Sequence, residues 1–282
     1  MSVKIFDLDE NALKLTKKSK VRRLSRSTKI YRIMKLDYFI KMFADKKNTL
    51  LRPTTWPDKS ECNLLRVGFD DVGGHVLGLD EAVYAQCWSL KYNSSLMWDS
   101  YTRGNPKDYV RIQTTVGKLY DSLIGFDQDH YALPIEAFIS QVEYIDRKTA
   151  QEYQQGLKAY AEDKSEMYAR AALVKANFFQ EEAEVRLIAF VQCSDYVADP
   201  KNDKFAYSCD PHSLVDLVRL PPNLNAEEIE IIKQKIKTAT EYKGSIRRST
   251  LLDAWELEPL VLCSLEDLKK RNEDMAHFAD DF

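Results

Sequence analysis

The stretch that most constrains this chain is Glu184–Val191, "EVRLIAFV". It is a short apolar run with strand character and a single charge, Arg186, inside it. The residues leading into it, "FFQEEA", bring Glu181 and Glu182 to its start. Side chains alternate along a strand, so a strand beginning near Ala183 puts Glu182, Glu184 and Arg186 on one face. Ala183, Val185 and Leu187 then share the other, buried face. Two arrangements satisfy this pattern. The polar face is a solvent-exposed ladder with a cross-strand ion pair, which contributes little. Alternatively, it is the floor of a cleft that carries a carboxylate pair tethered by an arginine.

Composition narrows the classes. The chain has 282 residues, 44% hydrophobic and 30% charged, enough for a sizeable core in an ordinary globular protein. A net charge of -3 does not mark a whole-protein polyanion binder. No apolar run is long enough to span a bilayer, and "MSVKIFDLDENALKL" lacks the apolar core of a signal peptide. The expectation is a cytoplasmic protein with no membrane contact. The five cysteines are odd in number and none form a CxxC pair, which fits reduced thiols and gives no zinc knuckle. The four histidines are scattered, so neither a histidine-based nucleophile system nor histidine metal ligation is expected.

Three segments follow from the charge pattern: a basic N-terminal arm (1–28), one α+β body (29–265) and an acidic tail (266–282). Residues 14–29, "KLTKKSKVRRLSRSTK", carry eight basic residues and no acid. They read as a solvated arm or as a contact to nucleic acid or an acidic partner, without aromatics for base stacking. Strands are expected at 29–34, 49–53, 84–90, 109–115, 138–145, 184–191 and 214–222, with a closing strand near 244–252. Helices are expected from Leu36, over "SSLMWDSYTRG", through a long stretch at 146–178, and after Asn225, a good N-cap. There is no GxGxxG, no phosphate-cradling GxxxxGK loop and no βαβ alternation. The fold class is therefore α+β, a strand-dominated mixed core with peripheral helices.

Other reactive or aromatic side chains sit on these elements. "IYRIM" places Tyr31 and Arg32 on the first strand of the body. "QCWSL" places Cys87, Trp88 and Ser89 on a central strand, where small or polar neighbours leave Trp88 open. "LMWDSY" puts Met97 and Tyr101 on one helix face, with Trp98 a core residue. "WPDKSE" supplies Asp58, which with Glu182 and Glu184 could ligate magnesium in a metal-dependent nuclease. A non-catalytic module with an aromatic cleft for a peptide or nucleotide is the third class.

"IYRIMKLDYFIKMF", "LLRPTTWPDKSE", "QCWSLKYNSSLMWDSY", "VRIQTTVGKL", "KANFFQEEAEVRLI" and "IRRSTLL" together resemble a bacterial family catalogued as domain of unknown function 2971. The resemblance spans residues 29 to about 255 and implies no reaction. A second, weaker resemblance is to toxin-type ADP-ribosyltransferases. Tyr31-Arg32, Ser89 and the Glu182-Ala183-Glu184 lead-in fall in that family's arginine, serine, glutamate order, with one serine where the family has a Ser-Thr-Ser run. It implies an ADP-ribosyltransferase-like fold, NAD as substrate with no tightly bound cofactor, and an intracellular toxin or phage-defence effector, with an antitoxin among its partners. By that resemblance Glu184 stabilises the ribosyl cation and Glu182 takes the acceptor's proton. Arg32 pairs the pyrophosphate, Trp88 or Tyr101 stacks on nicotinamide, and Arg186 keeps a carboxylate ionised.

Overall fold

The computed structural model describes residues 2–5, 24–56, 61, 64–65, 82–102, 104–126, 135–191, 202–253, 260, 264 and 266–271. Two compact units are present, Met1–Leu251 and Leu252–Phe282. In the second, residues 266–271 form a helical turn, and Ser264 Oγ accepts from Asp267 N at 3.0 Å as its cap. No helix among the described residues is long and apolar enough to cross a membrane.

The first unit is α+β. Its strands are β1 (Ser2–Ile5), β2 (Lys29–Lys35), β3 (Lys47–Leu51), β4 (Val83–Ser89), β5 (Tyr109–Thr115), β6 (Ile135–Gln141), β7 (Glu143–Ile145), β8 (Val174–Ala176), β9 (Glu184–Val191), β10 (Lys204–Ser208), β11 (Leu217–Leu220) and β12 (Ser245–Arg248). Ten of them make one mixed sheet, ordered β1-β6-β9-β4-β2-β5-β11-β12, with β3 and β10 branching beside β4. β7 and β8 form a separate parallel pair.

Each face of the sheet has its own core. On one face Ile30, Ile112, Leu187 and Val185 pack beneath α1 (Leu36–Asp45), α3 (Val116–Phe126) and the long helix Ala226–Thr240, and α2 (Ser95–Thr102) lies beside β2. On the other, Ala85, Phe138, Ile188 and Phe190 pack beneath α4 (Arg147–Gly156) and α5 (Lys164–Ala171). Every residue of β9 is consequently buried. This rules out a solvent-exposed ladder for the Glu184/Arg186 face.

The sheet forks at β4. Along one edge β4 pairs with β9 for its whole length, from Val83 opposite Phe190 to Ser89 opposite Glu184. Along the other edge, the described residues show a single bridge to β2, Tyr31 with Ser89, and a single bridge to β3, Leu51 with Ala85. β2 instead runs with β5, and β3 with β10. Between those two bridges the backbones diverge and leave an opening in the sheet.

The strand read over 109–115 coincides with β5, and the Thr115 hydroxyl, accepting from Lys118 N at 3.2 Å, closes it and starts α3. Several other expected boundaries differ for local reasons. The long helix read over 146–178 breaks into α4, a 3-10 turn (Leu157–Tyr160), α5, β8 and a second 3-10 turn (Asn177–Glu182). Asp146 and Asp163 each cap a new helix start there, accepting from Thr149 N and Glu166 N. The strand read over 138–145 divides at Val142, where the chain leaves the main sheet after β6 and β7 pairs with β8. Near the N-terminus, Ser2–Ile5 pair in parallel with β6. Residues 14–23 of the basic stretch lie outside the described residues. Leu24 is buried in the core, and Arg26 O and Thr28 O accept from Gly117 N (2.8 Å) and Val116 N (3.0 Å).

Candidate functional site

The site begins with the turn before β9. The 3-10 turn ends at Glu182, and Ala183 takes a left-handed conformation, φ 43° and ψ 54°. This single residue swings the chain so that Glu182 stands beside Glu184 rather than continuing a regular strand. Neighbouring segments hold the backbone there. Ala183 O accepts from Leu90 N at 2.9 Å, and Glu182 O accepts from the Ser89 hydroxyl at 2.6 Å. Glu184 O accepts from Val142 N at 2.8 Å, and Glu184 N donates to the Tyr144 hydroxyl at 2.8 Å.

Five charges meet at this turn. Arg186 Nε donates to Glu184 Oε1 at 2.8 Å and Nη2 to Glu184 Oε2 at 3.1 Å, while Nη2 also bonds Glu61 and Nη1 donates to Ala172 O at 2.5 Å. Lys175 Nζ lies 2.7 Å from Glu182, 3.3 Å from Glu184 and 3.2 Å from Glu61. Trp56 covers the Arg186 guanidinium, and Phe179 covers the Lys175 ammonium, at 4.8 and 4.7 Å from their ring centroids. The Arg186 side chain is fully buried, Glu184's is 4% exposed and Glu182's is 21% exposed, so the cluster is graded from the sheet interior outward. Three carboxylates against two cations leave one net negative charge in the cluster.

The environments drive the two key carboxylates apart. Burial alone would push the Glu184 carboxyl up, but Arg186 and then Lys175 outweigh it and hold it at about 2. Glu184 is thus ionised throughout the physiological range. Glu182 moves the other way: burial pushes its carboxyl above the ordinary value and outweighs the Lys175 contact. Burial opposes the charged forms of Lys175 and Arg186, yet Glu184 raises both. The Cys87 thiol, opposite Arg186 on β4, is pushed well up by burial and then by Glu184, so it stays neutral.

The fork in the sheet opens onto these groups as a cleft of about 470 Å³. Tyr31, Arg32, Trp88, Tyr101, Glu182 and Glu184, six of the residues singled out from sequence, line it. Ser89 and Arg186 stand behind the wall, Ser89 bonding the Glu182 carbonyl and Arg186 the Glu184 carboxylate. Tyr31 and Arg32 leave β2 on opposite faces, and the fork lets both reach the cleft. Arg32 is half-buried and, among the described residues, has no ion pair or hydrogen bond; burial draws its pKa down. Trp88 is 3% exposed, and its indole N–H donates to Gln86 Oε1 at 2.8 Å, so its ring belongs to the core under the cleft. Tyr101, 38% exposed, is the freer aromatic wall.

Glu61, Lys175, Trp56 and Tyr144 were not singled out from sequence. Each stands alone in its segment, and only the fold joins them to β9. Asp58 lies outside the described residues. Among the described residues no group of three or more His, Cys, Asp or Glu is arranged to hold a metal ion. The oxygens of Glu61, Glu182 and Glu184 face Lys175 and Arg186 instead.

No protein-family model matches the chain, and no curated protein does. Among solved structures, DarT of Thermus sp. 2.9 in complex with carba-NAD+ superposes with a TM-score of 0.36 at 12% identity, over 80% of this chain and 97% of that one. The same protein in complex with ADP-ribosylated ssDNA gives 0.39 at 12% identity, over 81% and 97%. In complex with NAD+ it gives 0.37 at 12% identity, over 80% and 97%.

Proposed function

We propose that this chain is an NAD-dependent ADP-ribosyltransferase-like effector, a toxin or phage-defence protein, which cleaves the bond between nicotinamide and ribose. The observation that carries this reading is the pair Glu182 and Glu184 at the mouth of one cleft, the first pushed up in pKa and the second held ionised. Two carboxylates whose environments separate their proton affinities mark an acid-base site. The cleft volume lies in the range of small-molecule sites.

In the proposed reaction the C1′–N1 bond breaks and its electron pair leaves with nicotinamide, neutralising the pyridinium. Positive charge develops on the ribose, and the Glu184 carboxylate stabilises it as it forms. Arg186 and Lys175 hold that carboxylate in place and ionised. The acceptor's nucleophilic atom bonds to C1′, and its proton passes to Glu182, the more exposed carboxylate. Arg32, a cation without an ion pair or hydrogen bond among the described residues, neutralises the pyrophosphate bidentately. Tyr101 supplies a face for the nicotinamide ring.

The test is nicotinamide release from NAD by the purified protein, with and without cell extract as a source of acceptor. Glu182→Gln and Glu184→Gln should each lower turnover by about a hundredfold or more, the scale of one preorganised electrostatic contact. Glu182→Gln should spare water as acceptor more than it spares transfer. Glu181→Gln alters an exposed residue whose one ion pair among the described residues is with Lys91 at 3.3 Å, and it should retain activity. Wild-type activity in folded Glu184→Gln rejects the reading.

A further inference from the structure

A second group of charges lies on the face of the sheet that bears Glu184, beyond β2. Ile33, Arg111, Arg219 and Arg247 occupy one register line across β2, β5, β11 and β12. Arg111 is 4% exposed. Its Nη1 donates to Tyr92 O and, at 3.4 Å, to Asn93 Oδ1. Its guanidinium sits 5.2 Å from the centroids of both Tyr31 and Tyr92. Arg219 shares the Tyr92 ring at 5.2 Å, donates to the Tyr92 hydroxyl, and donates to Arg248 O at 3.2 Å. Burial and then Arg219 pull Arg111 down to about 10. Neither arginine has a carboxylate partner among the described residues.

Three buried donors here lack a hydrogen-bond partner among the described residues: Arg111 Nη2, Arg219 Nε and Trp98 Nε1. Arg111 and Trp98 line one small pocket together with Tyr31, Ser89, Lys91 and Ser94. Its volume of about 10 Å³ admits a single oxygen atom. Buried donors without acceptors are rare, because each forfeits its hydration. A buried guanidinium, Arg111, beside the half-buried Arg219, with no carboxylate on either among the described residues, compounds that cost. A water molecule would satisfy a donor but would leave the charge uncompensated. One oxygen of an oxyanion does both, and a guanidinium is shaped to receive it. Tyr31, Ile33 and Met97 line both this pocket and the catalytic cleft, so the two adjoin.

We propose that Arg111, backed by Arg219 and joined by the Trp98 indole N–H, seats one phosphate-type oxyanion carried by a substrate that also occupies the adjacent cleft. The seat stands on its own geometry; that a substrate carries the group rests on the reaction proposed above. Two sources share this chemistry, the dinucleotide itself and a phosphate-bearing acceptor.

The experiment follows the Trp98 indole N–H resonance of 15N-labelled full-length protein, identified by its loss in Trp98→Phe. Inorganic phosphate and pyrophosphate are titrated against chloride at equal ionic strength. A saturable shift with phosphate and none with chloride is expected. Arg111→Gln should weaken phosphate binding at least tenfold, the scale of one charge-assisted hydrogen bond. If Arg111→Gln does not fold, the wild-type titration decides. NAD is then added. A shift of the same resonance by NAD, weakened tenfold or more in Arg111→Gln, assigns the group to the dinucleotide. NAD binding that leaves the resonance still responsive to phosphate assigns it to the acceptor. No saturable shift at tens of millimolar phosphate overturns the proposal and leaves the pocket to water. Failure of the proposed reaction reads differently: no nicotinamide release, with the phosphate titration still saturating.

Discussion

Replacing Glu184 with glutamine keeps the volume and planarity of the side chain but removes the charge that holds Arg186 and Lys175. The size of the effect follows from the site. Arg186 and Lys175 hold the Glu184 carboxyl at about 2 against 4.5 for a free glutamate. At about 1.4 kcal/mol per tenfold, that difference makes its ionisation worth about 3 kcal/mol to the folded state at neutral pH. The value agrees in scale with the 3–5 kcal/mol typical of removing one partner from a buried ion pair. The folded-state value is depressed, so this stability is present above the unfolded value and is lost as pH falls from 4.5 toward about 2. Urea unfolding followed by tryptophan fluorescence measures it. The wild-type and Glu184→Gln proteins should differ by about 3 kcal/mol at pH 7, and by about 2 kcal/mol near pH 3.5. A difference below about 1 kcal/mol at neutral pH would refute the reasoning, because the carboxylate would then not be holding the cations. So would a difference that does not shrink in acid. The same measurement states how much Glu184→Gln protein is folded when turnover is assayed.

Three other predictions use separate parts of the structure. Turnover should fall as pH drops through a value above that of a free glutamate, since burial raises Glu182 and a base must be deprotonated; a profile unchanged by Glu182→Gln would remove Glu182 from that role. Arg32→Gln should raise the KM for NAD about tenfold or more with a smaller change in kcat, as expected for a lost charge-assisted contact made equally in the ground and transition states. A Cβ at Gly117 would meet Arg26 O at 2.9 Å, so Gly117→Ala should cost about 1–3 kcal/mol by urea unfolding, and a neutral result would mean that the Leu24–Thr28 segment is not docked there.

Local signals carried part of this structure. Asn225 accepts from Glu228 N while Glu228 accepts from Asn225 N, a capping box written in four residues, and the helix starts where the sequence places it. The alternation and apolar length of Glu184–Val191 mark a buried strand, and the strands read at Lys29, Tyr84 and Tyr109 join it in one sheet. The Glu182-Ala183-Glu184 stretch, with Tyr31 and Arg32, could be named as cleft residues because each sits in a segment of mixed strand character and polar side chains, and Tyr101 because it shares a helix face with Met97. Other features had no local signal. Where helices stop within 146–178 depends on Asp146 and Asp163 capping successive starts in a stretch whose composition is uniformly helix-forming. Trp88 looked open beside small neighbours, yet burial against the core and the bond to Gln86 are decided by α1, α3 and the sheet packing around it.

The charge cluster is the sharpest case of the same division. The sequence by itself determined that two carboxylates and an arginine sit at the start of a central strand. Only the tertiary structure decided that Glu61 and Lys175 complete the cluster, from segments 123 and 9 residues away from Glu184. It also decided that the sheet forks at β4 and opens a cleft onto them, and that Arg111 and Arg219 meet around Tyr92 with no acid beside them among the described residues. The physical reason is range. Alternation, caps and propensity act over a few residues of chain, whereas Coulomb interaction and desolvation act through space and depend on which side chains the fold brings within a few ångströms.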